Sequence, residues 1–206
     1  MVAVPTSITR LQALHAAQAC DVLVSCVDHD SARLAATGIA TVFCKPLLDI
    51  ATGVHGHGAE RQMGADIRLV LPGRCLRCFG GLRDEATAHQ VLASAEAERA
   101  FYAQRHWQHE RAGSLLSQNL VAVGRALQLF EALLDARLQD SRWEHLESDR
   151  SAHLIPEYPV VPPADAAHAC RLCALQGWGE EGIPRLVELL QHGQQWQERR
   201  TERPVG

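Results

Sequence analysis

The sequence predicts an α/β protein, a sheet with flanking helices and a C-terminal arm stapled by zinc. Three observations carry this expectation. Two continuous apolar runs, "DVLVSCVD" and "KPLLDIATG", enclose a segment with helical spacing, the pattern of a strand, a crossover helix and a parallel strand. Farther on, Leu116, Leu120, Val123, Leu127, Phe130, Leu134 and Leu138 recur at steps of three and four, the period of an amphipathic helix. Two Cys-x-x-Cys pairs, Cys75 with Cys78 and Cys170 with Cys173, stand far apart in the chain.

A chain of 206 residues, 47% hydrophobic, can bury a core of its own. Its 20 basic and 24 acidic residues leave a net charge of -4, which gives no electrostatic reason to expect nucleic acid or an anionic membrane as partner. The opening residues, Met1 to Ser7, show no basic stretch followed by a long apolar one, and no run approaches a membrane span, so a cytoplasmic location is expected. For such a chain, seven cysteines with four in Cys-x-x-Cys pairs point to metal or redox chemistry rather than to disulfides.

In chain order, Val2 to Val4 reads as a strand stub, and Ile8, Leu11 and Leu14 give a first helix. "CDVLVSCVD" has the form of a strand buried on both faces, Leu34, Ile39 and Val42 suit the crossover helix, and "KPLLDIATG" is the parallel strand that follows. "GVHGHGAE", with His55 and His57, reads as a mobile loop, and "DIRLVLPG" as a further strand whose Pro72-Gly73 turn delivers Cys75. Residues 84 to 110, rich in Ala, Glu, Gln and Arg, are expected to be helical or a long crossover. Ser114 then caps the apolar-periodic helix. "RWEHLES" reads as an edge strand and "IPEYPVVPPADAAH" as a proline-rich loop barred from a central sheet, while "IPRLVELLQHGQQWQERR" closes the chain as an amphipathic helix.

Two thiolates three residues apart on a turn can reach one Zn²⁺ at about 2.3 Å, and two such pairs complete the S₄ set of a structural site. A dithiol redox couple is the competing reading, but it leaves the second pair unexplained. Cys20, Cys26 and Cys44, in apolar surroundings, are expected in the core. Asp28 follows "VLVSCV" at a strand's carboxyl end, where open α/β sheets bind ligands. Its oxygens suit Mg²⁺ on nucleotide phosphates; equally, Asp28 reads as the N-cap of the helix beginning "SARLAATGIA".

Taken together, "CDVLVSCVDHDSAR", "KPLLDIATG", "GADIRLVLPGRCLRCFGGL", "GSLLSQNLVAVGRALQLFEALL" and "CRLC", in this order, resemble the ThiF/MoeB/HesA adenylyltransferases, which are similar to the adenylation domains of ubiquitin-activating enzymes. The resemblance implies the second half of a Rossmann-like mixed sheet, with residues 1–150 as a partial adenylation domain, 151–178 as the proline-rich loop completing the zinc site, and 179–206 as a C-terminal helix and tail. It implies that Asp28 corresponds to the family's Mg²⁺-ATP aspartate, that Arg33 matches the arginine of the same motif, and that Cys75, Cys78, Cys170 and Cys173 are structural zinc ligands. It also implies ATP-dependent activation of the C-terminal carboxylate of a ubiquitin-like or sulfur-carrier protein, and a homodimer. The sequence departs from the family in two places. It contains no G-x-G-x-x-G element, so an upstream polypeptide or a longer form of the gene product is expected to supply the phosphate-binding half, and Gly53, Gly56 and Gly58 are wrongly spaced to replace it. Positions 79 to 169 contain no cysteine, which argues against a covalent relay. The competing function is a non-catalytic, zinc-stabilised protein-binding module.

Overall fold

The computed structural model describes residues 3–8, 10–55, 62–104, 115–148, 151, 153–159 and 170–191. Helix α1 (Leu11–Gln18) leads to a short strand β1 (Leu23–Ser25), helix α2 (Asp30–Val42), and the long strands β2 (Leu47–His55) and β3 (Gln62–Val70). Two helices follow, α3 (Glu85–Leu92) and α4 (Ala95–Gln104), then the long helix α5 (Leu116–Leu134) and strands β4 (Arg142–Ser148) and β5 (Leu154–Glu157). After 3₁₀ turns at Cys173–Leu175 and Gly179–Gly182, the described chain ends in helix α6 (183–191).

The five strands form one mixed sheet in the order β1-β2-β3-β4-β5. Only the β1–β2 pair is parallel, joined by the α2 crossover, and the remaining pairs are antiparallel. Because side chains alternate between faces along a strand, the register divides the sheet cleanly. Asp49 lies opposite Arg68 and Arg68 opposite Trp143, whereas Ala51, Asp66 and His145 form the next row on the same face. Leu48, Ala65, Ile67, Leu69 and Leu146 occupy the other face and pack under Ala122, Ala126 and Leu129 of α5. The first face is covered by α2 and the turn after β3, where Ala36, Ala40, Leu76 and Phe79 close over Leu47 and Val70. Beyond α2, Leu34, Ile39 and Val42 meet Leu172, Leu175, Leu186 and Leu190, so the C-terminal segment has a core of its own against that helix.

Several expectations are corrected. Ala3 and Val4 are not in a strand. β1 is not buried on both faces: it is an edge strand of three residues, and Val24 is 59% exposed. β2 continues through Gly53 to His55, so that part of the expected loop is strand; Gly56, His57 and Gly58 lie outside the described residues. Ser114 also lies outside them; α5 starts after Leu115, which makes no side-chain cap, and ends before Leu138. β4 is interior rather than an edge, because Leu154 and the first three residues of the proline-rich stretch, Ile155 to Glu157, add β5 beside it. Pro156, which lacks an N–H, is tolerated there because β5 is itself an edge. Cys20, Cys26 and Cys44 are exposed rather than buried, each lying just past the end of an element. No described helix is long and apolar enough to cross a membrane.

Candidate metal centre and the adjoining pocket

Each cysteine pair is presented by a tight turn. Pro72-Gly73 reverses the chain after β3, with Gly73 at φ 104°, a value open to glycine at no steric cost. The amide of Phe79 then donates to the Cys75 carbonyl (3.1 Å) and that of Gly81 to the Leu76 carbonyl (2.9 Å), wrapping residues 75–81 around the two thiols. The Leu76 amide donates to Thr37 Oγ1 of α2 (2.8 Å), which fixes the turn on the helix. The second pair sits on a similar turn, where the Ala174 amide donates to the Cys170 carbonyl (3.0 Å). Gln176 Oε1 accepts from the Gly73 amide (2.7 Å), a direct bond from the C-terminal segment to the first turn.

The four sulfurs converge. Cys75 Sγ lies 3.7 Å from Cys78 Sγ and 3.7 Å from Cys170 Sγ, and Cys78 Sγ lies 3.7 Å from Cys173 Sγ. All four lie within 4.8 Å of one another. A tetrahedron with zinc–sulfur bonds of about 2.3 Å has an edge of about 3.8 Å, so the spacing fits a four-thiolate site. These cysteines could hold a metal ion such as zinc. Taken as thiols they share protons unequally: contacts from Cys173, Cys75 and Cys78 hold Cys170 well below the usual thiol range, and bonds to Cys170, Cys173 and Cys78 push Cys75 up. A divalent cation resolves that competition by holding all four as thiolates. Arg77 stands beside the cluster with Nη1 3.9 Å from Cys170 Sγ, and Glu85 Oε1 pairs with Arg77 Nε at 2.5 Å.

A cavity of about 470 Å³ opens on the other side of α3, between the N-terminus of α2 and the polar face of the sheet. Asp28, Asp30, Asp66, Arg68, Arg83 and His145 contribute to its lining. Asp28 stands three residues past β1 with its side chain 53% exposed, and His29 Nε2 is 3.8 Å from its Oδ1. The helix-cap reading of Asp28 is corrected: His29 is the N-cap of α2, its Nδ1 accepting from the Ala32 amide (3.2 Å). Arg33 is turned back along its helix. It donates to the Val27 carbonyl (2.6 Å) and Asp30 Oδ1 (3.0 Å), and its Nε faces Asp49 Oδ1 at 3.4 Å without hydrogen-bond geometry. Asp30 Oδ2 in turn accepts from the amides of Arg83 and Asp84 (2.7 Å each), which joins the cavity wall to α2.

The cavity floor is a chain of charges. Arg68 bridges Asp49 Oδ2 (3.0 Å) and Asp66 Oδ2 (2.8 Å) and lies over the Trp143 ring, while Ser25 Oγ donates to Asp49 Oδ1 (2.8 Å). Trp143 Nε1 donates to Asp66 Oδ1 (2.9 Å), and His145 Nδ1 lies 3.0 Å from the same oxygen. Burial alone would raise the Asp66 pKa; the charge of Arg68 and the bonds from Trp143 and His145 outweigh it and hold the carboxyl below its ordinary value. Sequence reasoning singled out Asp28 and Arg33 but missed Asp49, Asp66, Arg68 and His145. The available signal was Asp66 and Arg68 at alternate positions of an otherwise apolar strand, which places both on one face. No family model matches the chain, and no curated protein matches it.

Proposed function

We propose that this chain is the aspartate-bearing portion of a ThiF/MoeB/HesA-type adenylyltransferase, a Rossmann-like half-sheet with a zinc-stapled arm, acting with ATP and Mg²⁺ on the C-terminal carboxylate of a ubiquitin-like or sulfur-carrier protein. The observation that carries this reading is the position of Asp28: past a strand's carboxyl end and half-exposed on a cavity. An oxygen ligand so placed fits a magnesium ion on nucleotide phosphates. Bound there, Mg²⁺ would supply charge neutralisation on the phosphates. Cys75, Cys78, Cys170 and Cys173 would hold the structural zinc.

Phosphate binding requires backbone amides at a glycine-rich turn, which this sequence lacks. The proposal therefore includes a further segment, on a separate polypeptide or in a longer form of the gene product, that carries that turn and adds strands beyond β1. Among the described residues β1 is an edge strand with Val24 exposed, which supports this part of the reading.

One observation favours the competing reading, a protein-binding module without nucleotide chemistry. Arg33 and Arg68 are already engaged by Asp30, Asp49 and Asp66, which leaves Arg83, 80% exposed and 3.2 Å from Asp66 Oδ2, as the arginine of the lining best able to turn toward a triphosphate. The two readings separate in a pyrophosphate-exchange assay. The chain alone is expected to be inactive, and addition of a polypeptide encoded beside it that bears the glycine loop is expected to restore exchange. In that mixture Asp28→Asn should lower the rate by roughly 10² to 10³-fold, the scale of one preorganised electrostatic group. Full activity with Asp28→Asn, or no exchange in any combination, would leave the binding module as the surviving reading.

A further inference from the structure

The four cysteines of the cluster are not covered to the same extent. Cys75 and Cys170 are 0 and 5% exposed, whereas Cys78 and Cys173 are only half-buried. The two less covered sulfurs are also neighbours, with Cys78 Sγ 3.7 Å from Cys173 Sγ across the gap between the two turns. An accessible thiol beside a second that can resolve it is the arrangement of an oxidation-sensitive pair.

We infer that Cys78 and Cys173 are a reversible, peroxide-sensitive pair that closes to a disulfide between the turn after β3 and the C-terminal segment and releases the cluster's metal ion in doing so. Metal ligation keeps thiols deprotonated, and the thiolate is the form that attacks a peroxide. In the first step an S–O bond forms at Cys78 and the O–O bond of hydrogen peroxide breaks, which leaves a sulfenic acid and a hydroxide. The Cys173 thiolate then attacks that sulfur, so that the S–S bond forms, the S–O bond breaks and a second hydroxide leaves. The two thiolates lose two electrons, and the peroxide, with two protons from solvent, ends as two waters. Only Cys75 and Cys170 then remain as ligands, too few for a closed four-thiolate site. The cross-turn bond is favoured over a disulfide within either Cys-x-x-Cys pair because contacts that do not involve the metal keep the turns opposed while the bonds exchange. Gln176 Oε1 accepts from the Gly73 amide, the Gly177 amide donates to the Thr41 carbonyl of α2 (3.2 Å), and Leu172 and Leu175 share a core with Leu34, Ile39 and Val42. For the released ion this inference rests on the zinc reading of the cluster, and none of it depends on adenylation chemistry.

The test uses the full chain with the exposed Cys20, Cys26 and Cys44 each changed to serine, so that peroxide meets no thiols outside the cluster. Hydrogen peroxide is added in steps, released zinc is followed with a chromogenic chelator, the remaining thiols are alkylated in denaturant, and disulfides are mapped by non-reducing proteolysis and mass spectrometry. One Cys78–Cys173 linkage is expected for each zinc released, with Cys75 and Cys170 recovered as alkylated thiols and the circular-dichroism spectrum retained. A thiol reductant with added zinc should reverse both changes. The unsubstituted chain should yield the same cross-linked peptide, which separates the result from any folding defect of the variant. Linkages only within Cys75–Cys78 and Cys170–Cys173, or four unreacted cluster thiols at a peroxide concentration that oxidises the exposed cysteines of the unsubstituted chain, overturn the inference. If the isolated chain carries no zinc, the zinc reading fails by itself and the disulfide map still decides the pair.

Discussion

Cys75 Sγ and Cys170 Sγ approach to 3.7 Å although 95 positions separate them in the chain. The four-cysteine cluster therefore sets the turn after β3 against the segment before α6. The purified protein is expected to contain about one zinc per chain, measured by elemental analysis. Structural zinc is worth roughly 10 to 16 kcal/mol in peptides, so Cys170→Ser should lower the melting temperature sharply and expose residues 170–191 to protease before the sheet. A metal-free protein whose melt is unaffected by chelators would rule out the zinc site and revive the dithiol.

Arg77 contacts both the cluster, through Cys170, and Glu85 of α3. A cation donating to a ligand sulfur stabilises thiolate charge, and loss of such outer contacts typically costs about 10 to 100-fold in metal affinity. Arg77→Met keeps much of the stem and removes the charge. Zinc transfer to a chromogenic chelator should be faster from this variant by a factor of that order, and Glu85→Gln should show a smaller effect in the same direction. Equal transfer rates for all three proteins would assign Arg77 to packing alone.

Asp66 gives a pH dependence with a defined sign. Its carboxyl titrates below its ordinary value in the folded chain, so it stabilises the fold above the unfolded pKa of about 3.9, and that contribution is lost as pH falls through the lower folded value. Asp66→Asn should lose about 3 kcal/mol at neutral pH, because Arg68 keeps its charge in a buried site with one carboxylate fewer. Its melting temperature should also fall less steeply than the wild type's below about pH 4. Parallel acid limbs would show that other carboxylates govern acid unfolding.

Ala136 follows the C-cap of α5 with φ 55°, where its amide bonds the Leu133 carbonyl and the Arg137 amide bonds the Ala132 carbonyl. This left-handed helix stop favours glycine, because an L side chain crowds the following carbonyl there. Ala136→Gly should stabilise the protein by about 1 kcal/mol, or about 2 to 4 °C in melting temperature for a chain of this size. A lowered melting temperature would show that the methyl is worth more in packing than it costs in strain.

The parts of the fold legible in the sequence are those set by short-range pattern. Leu34, Ile39 and Val42 between two apolar runs gave the α2 crossover and its parallel pair, and the repeated Cys-x-x-Cys spacing brought four sulfurs to one place. Periodicity also located α5, but it could not say which side the sheet would take. The small residues Ala122 and Ala126 let the helix sit close to β2 and β3, and the larger stripe was left outside. Asp28 was legible because a strand end is a local feature. The Asp49–Arg68–Asp66–His145 chain was not, since its members meet only through the register of three strands.

The order of the strands bears on how the molecule assembles. Strands adjacent in the sheet are not all adjacent in the chain: β2 and β3 are joined by a short connection, but β3 pairs with β4, Met63 opposite Ser148, only after α3, α4 and α5 have been made. Such non-local pairing is slow to form. The sulfur cluster is a contact of the same kind, since Cys75 and Cys170 close a loop of 95 positions with nothing local to nucleate it. A zinc ion held by the four sulfurs would add free energy to that closure, so the yield of refolded chain is expected to rise with zinc concentration and to fall when a chelator is present, read by recovery of the native circular-dichroism signal.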